Sequence, residues 1–313
     1  MSTLSSEVSV SFDCPEDQNG DKQIQRVPAR SAQVGGGITV GRILPSSQRR
    51  MVGAWCFLDH AGPAVFTSGP GLRVGPHPHI GLQTFTWMIQ GEVLHRDSLG
   101  HVQVIKPGQV NLMTAGRGIS HTEESLPGED KLHAVQLWIA LPFKDAACEP
   151  AFDHHPDLPR WREGECDFTL LAGSYEGRQA PSKLYSPLMG MDLNSVKAGR
   201  VVLNLKPEFE YGFLVVQGTV GIGNEQFQTN ELAYVGRGLT QLSLDLSAGC
   251  RVIVLGGEPY TDELVLWWNF VGQNKEIITQ AQRDWRAAHD RFGVVQGYDG
   301  DPLQAPDLPW ETA

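Results

Sequence analysis

Two short stretches carry residue types that could do chemistry: "HPH" at 77–79 and "HTE" at 121–123. In a β-strand, side chains two apart share a face and lie about 7 Å from one another. His77 and His79 can therefore aim both imidazoles at one point while Pro78 faces away. Pro78 has no N–H to donate, which places it at a strand start or on a sheet edge. His121 and Glu123 repeat the device. Two strands that each turn such a pair into a barrel interior would surround one ion with three imidazoles and a carboxylate, a donor set for a borderline divalent metal. Among ten histidines a lone H-x-H arises easily by chance. The ordered series H-x-H, Gln-Gly, Pro-Gly, H-x-E within 47 residues is far more specific. Gln83, four residues after His79, puts a neutral amide where a third, charged ligand might stand. It reads either as a satisfied strand residue or as a group that supports a ligand from behind.

The elements that must position these residues are short. From "SAQVGGGITVGRILP" onward, apolar runs are broken by Gly, Pro and Asn at the spacing of an all-β sandwich or barrel. "QTFTWMIQG" and "HAVQLWIAL" alternate as half-buried strands do, and "VQVIKPGQVNLMTAG" sets a Pro-Gly turn between two runs. The prolines of "LPFKDAACEPAFDHHPDLPRW" mark an interdomain linker, taken as 151–159. The expected organisation is a polar leader of low order (1–29), a first barrel (30–150), the linker, and a second barrel with a C-terminal helix (160–313). That helix is "NKEIITQAQRDWRAAHDRF", with Ile277, Ile278, Ala281, Trp285, Ala288 and Phe292 along one face.

The two halves resemble each other. Aligning Gln90-Gly91 with Gln217-Gly218, and Gly116-Arg117-Gly118 with Gly236-Arg237-Gly238, sets His77 against Asn204 and His79 against Lys206. Gln83 then faces Glu210, His121 faces Gln241, and Glu123 faces Ser243. A second copy so built carries no metal-binding set.

Composition narrows the function. A chain of 313 residues with 41% hydrophobic and 19% charged content is globular and long enough for two cores. A net charge of -11 argues against direct nucleic-acid binding, which needs clustered Lys and Arg. No signal peptide or membrane span is visible. The five scattered cysteines (Cys14, Cys56, Cys148, Cys166 and Cys250) suit a reducing cytoplasm and neither disulfides nor a zinc knuckle. His95 and His101 read as surface or internally satisfied residues. His154 and His155 read as part of a solvated loop. Ser98, Asp97 and His95 are adjacent in sequence, which is not triad geometry.

"HPHIGLQTFTWMIQGEVLHRDSLG" (77–100), "IKPGQVNLMTAGRGISHTEE" (105–124), "LWIALP" (137–142) and "GGEP" (256–259) together resemble the cupin superfamily, and more closely the pirin family. The resemblance spans about 30–295 and implies a bicupin: two jelly-roll β-barrels in tandem, with metal in the first only. It implies His77, His79, His121 and Glu123 as ligands of one divalent ion, Fe(II) foremost, with Mn, Co, Ni or Zn chemically suited. Pirins usually carry a carboxylate at the position of Gln83, where this chain departs from the pattern. Several bacterial pirins are described as quercetin 2,3-dioxygenases. That activity implies a flavonol held through its 3-hydroxyl, Glu123 as proton acceptor, and dioxygen cleaving the central ring with release of carbon monoxide. The family's other implied role is a non-catalytic iron or redox sensor that docks on protein partners. The intact ligand set suits both roles and disfavours a metal-free structural bicupin.

Overall fold

The computed structural model describes residues 23–311 apart from 36, 68 and 70, so Cys14 and most of the expected leader lie outside the described residues. The chain folds as expected into two β-barrels, each a large antiparallel sheet closed by a four-stranded one. In the first barrel the large sheet runs Ala151–His155, Val110–Thr114, Leu82–Gln90, Lys131–Ala140, Trp55–Val65, Ile38–Leu44, Arg30–Val34. Its small sheet runs Arg73–His79, Ile119–Ser125, Val93–Asp97, Val102–Ile105. The second barrel repeats the plan, with Glu231–Val235, Glu210–Gln217 and Arg251–Gly257 at the centre of its large sheet and Gly199–Asn204 beside Gln241–Leu246 in its small one.

The repeat is visible in the register. His77 pairs with His121 across the small sheet of the first barrel, and Asn204 pairs with Gln241 across that of the second. Each barrel also takes an outer strand from a segment expected to be irregular. Gln25–Pro28, inside the stretch read as a leader of low order, pairs with Glu231–Val235 of the second barrel. Ala151–His155, inside the stretch read as linker, pairs with Val110–Thr114 of the first. Both cover the exposed edge of a large sheet, which would otherwise leave a row of unpaired N–H and C=O groups.

The two large sheets pack face to face. Phe85, Trp87, Leu137 and Ile139 of the first meet Leu171, Leu214, Ile253 and Leu255 of the second in one continuous apolar layer. The alternate residues of the same strands face inward, as Leu82, Met113 and Trp138 do in the first barrel. Every central strand is thus buried on both faces. Polar crossings are reciprocal: Gln83 of the first barrel donates to the Lys183 carbonyl at 3.0 Å, and its counterpart Glu210 accepts from the Gly53 N–H.

The C-terminal helix is shorter than its periodicity implies. It spans Lys275–Arg286, capped by Asn274, whose side chain accepts from the Ile277 N–H at 3.0 Å. Ile278 and Ala281 are buried, Ile277 is exposed, and Phe292 reaches the same cluster from a following 3-10 turn. Ala288 lies beyond the helix at φ 52° and is exposed, so it belongs to no buried face. The helix sits on Ile80 and Phe270 beside the first barrel, although it follows the second in sequence.

Glu210 is 2% exposed, and burial pushes its carboxyl above the ordinary 4.5 despite bonds from the Tyr234 hydroxyl and the Gly53 N–H. The folded state therefore holds this proton more tightly than the unfolded chain, so stability falls as pH rises above about 4.5. In Glu210→Gln the amide satisfies both partners without charge. Chemical denaturation between pH 4.5 and 7 should show the stability difference moving steadily in favour of Glu210→Gln; parallel curves would overturn this.

Candidate metal centre

Strand alternation and one turn build the site. Arg73–His79 is an edge strand of the small sheet, where the missing N–H of Pro78 is tolerated as expected. Its neighbour Ile119–Ser125 pairs Ile119 with His79 and His121 with His77. Between His121 and Glu123 the register slips by one residue, a β-bulge that sets Glu123 opposite Val74. On its other side the same strand sets His121 opposite Asp97 and Glu123 opposite His95.

His77, His79 and His121 come together. Their candidate donor atoms all lie within 4.8 Å of one another, and all three residues are buried. The His77 Nδ1 sits 2.9 Å from the Gly75 carbonyl, and the His79 Nδ1 sits 3.0 Å from the Asn269 carbonyl. A carbonyl only accepts, so each Nδ1 carries the proton and each Nε2 is left with a bare lone pair. The Nε2 atoms of His79 and His121 lie 3.1 Å apart. Two nitrogens each about 2.1 Å from one metal ion, at a right angle, are separated by about 3 Å. The spacing fits a shared cation.

Electrostatics point the same way. Burial pulls the His77 imidazole down to about 4 and those of His79 and His121 well below the usual histidine range, helped in the latter two by neighbouring rings. All three are neutral at physiological pH, which is the form that binds metal. Burial alone pushes the half-buried Glu123 carboxyl up to about 7, a cost that a divalent cation alongside would remove. Glu123 lies outside the close set formed by the three histidines.

Gln83 has no part in this cluster. Gly81, at φ 67°, turns the chain from the small sheet into the large one, and a Cβ there would meet the Val271 carbonyl oxygen at 2.2 Å. The turn resets the alternation. Leu82 faces the barrel interior, whereas Gln83 joins Phe85 and Trp87 on the face toward the second barrel. Its amide donates to Thr114 Oγ1 at 2.9 Å and to the Lys183 carbonyl, and its Oε1 is buried without a partner. The idea that Gln83 supports a metal ligand is therefore corrected: it ties the two barrels together.

His95 was undervalued from the sequence. It is 4% exposed, its ring stacks on Phe152 at 4.3 Å, and its Nδ1 lies 3.4 Å from the His121 Nδ1. Asp97 bridges it to His101, which is exposed, so of the two histidines His95 is the one in the wall of the site. The usable signal was H-x-D-x3-H on the strand and turn after the first ligand pair. His154 and His155 lie on the strand that covers the sheet edge, with His154 Nδ1 2.8 Å from Asn111 Oδ1. The expected solvated loop is thus a paired strand. Among the described residues, no helix is long and apolar enough to cross a membrane.

A family model described as Pirin matches residues 37–139, and one described as Pirin C-terminal cupin domain matches 190–293. A Pseudomonas aeruginosa protein named "Putative quercetin 2,3-dioxygenase" is 60% identical over 97% of this chain and 96% of its own. A "Pirin-like protein" of Caulobacter vibrioides is 38% identical over 86% of this chain and 95% of its own. The crystal structure of a quercetin 2,3-dioxygenase from Acinetobacter baumannii superposes with a TM-score of 0.89 at 46% identity, covering 91% of this chain and 96% of that one.

Placing a carboxylate at position 83 would set an acceptor against the Lys183 carbonyl, which only a protonated acid could satisfy. Gln83→Glu should leave metal stoichiometry unchanged and lower stability by about 1–3 kcal/mol at pH 8, less at pH 5. Metal analysis and denaturation at both pH values check this; a loss of metal with unchanged stability would return Gln83 to the site.

Proposed function

This chain belongs to the pirin family of bicupins, and on that footing we propose that it is a metal-dependent dioxygenase of the quercetin 2,3-dioxygenase type. The observation that carries the proposal is the set of three buried imidazoles whose candidate donor atoms lie within 4.8 Å of one another, with the Nε2 atoms of His79 and His121 3.1 Å apart. His77, His79 and His121 would hold the ion, with Glu123 as the fourth ligand from the same strand as His121. Iron(II) is the favoured ion, since imidazole with carboxylate suits oxygen-activating iron, and the set also accepts Mn, Co, Ni or Zn.

When bound, the ion would supply an anchoring point for an ionised hydroxyl and access to dioxygen chemistry. The chain's own residues do the rest. The carbonyls of Gly75 and Asn269 fix the rings of His77 and His79, so the donors need no reorganisation. In this reading Glu123 accepts the 3-hydroxyl proton of a flavonol and returns it to the product. The substrate loses that proton to the carboxylate, and the ring opens with both atoms of dioxygen in the organic product and one carbon leaving as carbon monoxide.

Purified protein should bind close to one transition-metal ion, and His121→Ala should lose most of it. The iron-loaded protein, incubated aerobically with quercetin, should consume flavonol and dioxygen together, while a His77→Ala blank stays flat. Full metal retention by His121→Ala would overturn the ligand assignment. Flat traces from Fe, Mn, Co and Ni forms would overturn the dioxygenase and leave a sensor acting through protein partners.

A further inference from the structure

The metal-facing ring of His121 differs from its two companions in what holds it. His77 and His79 each give their Nδ1 proton to a backbone carbonyl, but the His121 Nδ1 faces another imidazole, the Nδ1 of His95, at 3.4 Å. The rest of the chain is closely bonded. His95 Nε2 lies 3.2 Å from Asp97 Oδ2, and His101 Nδ1 lies 2.9 Å from the same oxygen. The Asp97 side chain is fully buried and also accepts from the N–H groups of Leu99 at 2.9 Å and His101 at 3.1 Å through Oδ1.

With a neutral imidazole at His95, proton placement along this chain has one solution. An ionised carboxylate only accepts, so His95 must carry its proton on Nε2 and leave Nδ1 bare. A bare Nδ1 on His95 requires a proton on the Nδ1 of His121. The Nε2 of His121 is then bare, and it faces the bare Nε2 of His79. The opposite arrangement, with the proton on His121 Nε2, would set an unprotonated His95 nitrogen against the Asp97 carboxylate, acceptor against acceptor.

We infer that His95, oriented by Asp97 and by its stack on Phe152, is a positioning residue that locks His121 in the tautomer whose Nε2 binds metal. It makes His121 the ligand with an imidazole and a carboxylate in series behind it, whereas the other two lean on neutral carbonyls. This is a carboxylate-to-histidine support of the kind that raises ligand basicity, with one ring inserted. The inference rests on the three histidines holding a metal and not on the reaction performed there.

The test uses the full chain loaded with Co(II), whose paramagnetism shifts the ring N–H protons of its histidine ligands far from the protein envelope. Wild type should show three such exchangeable signals, all slow to exchange with solvent because their partners are buried. His95→Leu should keep two, lose the third or exchange it rapidly, and bind Co(II) about 10–100-fold more weakly. His95→Gln, whose amide oxygen can accept from His121 Nδ1–H, should restore the third signal and most of the affinity. Three slow signals and wild-type affinity in His95→Leu would overturn the inference. Should His95→Leu fail to fold, Asp97→Asn decides: faster exchange of one signal with weaker binding supports it, and an unchanged spectrum and affinity overturns it. Wild type that binds no Co(II) would sink the metal centre itself, a separate failure.

Discussion

The large sheets are buried on both faces, and that constraint governs the rest of the molecule. A strand with solvent on one side needs apolar residues only at every second position. Here the residues between must also be buried, against the partner barrel. Leu82 and Phe85, or Met113 and Leu112, are neighbours in one strand that serve two different cores. The price is that any polar residue on a central strand must find its partner across a barrel or across the interface. Gln83 and Glu210 do so in matching ways, each reaching a backbone group of the other half.

Such a scaffold explains why the histidine cluster sits where it does. The small sheet of the first barrel is not sandwiched between barrels, so its inner face can afford a cluster of imidazoles. His77 and His79 lie on its edge strand, His121 and Glu123 on the next, and His95 and Asp97 on the third. Three adjacent strands thus present six polar side chains on a concave wall. The second barrel keeps the same register, with Asn204 opposite Gln241 where the first has His77 opposite His121, but that pair is exposed and the buried residues of those strands are Val201, Leu203, Leu244 and Leu246. Gln241 donates to Asn204 Oδ1 at 2.9 Å, and the Asn204 amide donates in turn to Glu176 Oε1.

The amino-acid sequence discloses the three clustered histidines because i, i+2 spacing within a strand is a local rule. Two barrels were legible for a similar reason, since repeated turns and matching Gln-Gly and Gly-Arg-Gly landmarks need no knowledge of contacts. The face taken by Gln83 was not legible. Counting alternation from His79 runs straight through Gly81, where the chain leaves one sheet for another. The place of His95 beside the cluster was not legible because two of its partners, Phe152 and His121, come from distant parts of the chain. The edge strands at 25–28 and 151–155 look irregular because they are short and polar; pairing makes them strands. In the helix, periodicity alone extended the buried face past Arg286, where the backbone turns out of helical geometry.

The carbonyl that orients His79 belongs to Asn269, 190 residues further along the chain. It is carried on a hairpin, Val265–Trp267 with Phe270–Gly272, that lies against Ile80 and is backed by the C-terminal helix. On the ribosome, every imidazole of the cluster is made long before this hairpin exists. A first barrel that has folded during synthesis therefore presents an incompletely braced set of imidazoles until this hairpin arrives. The cluster's final geometry is in this sense a late event in the life of the chain, tied to completion of the second barrel by topology alone.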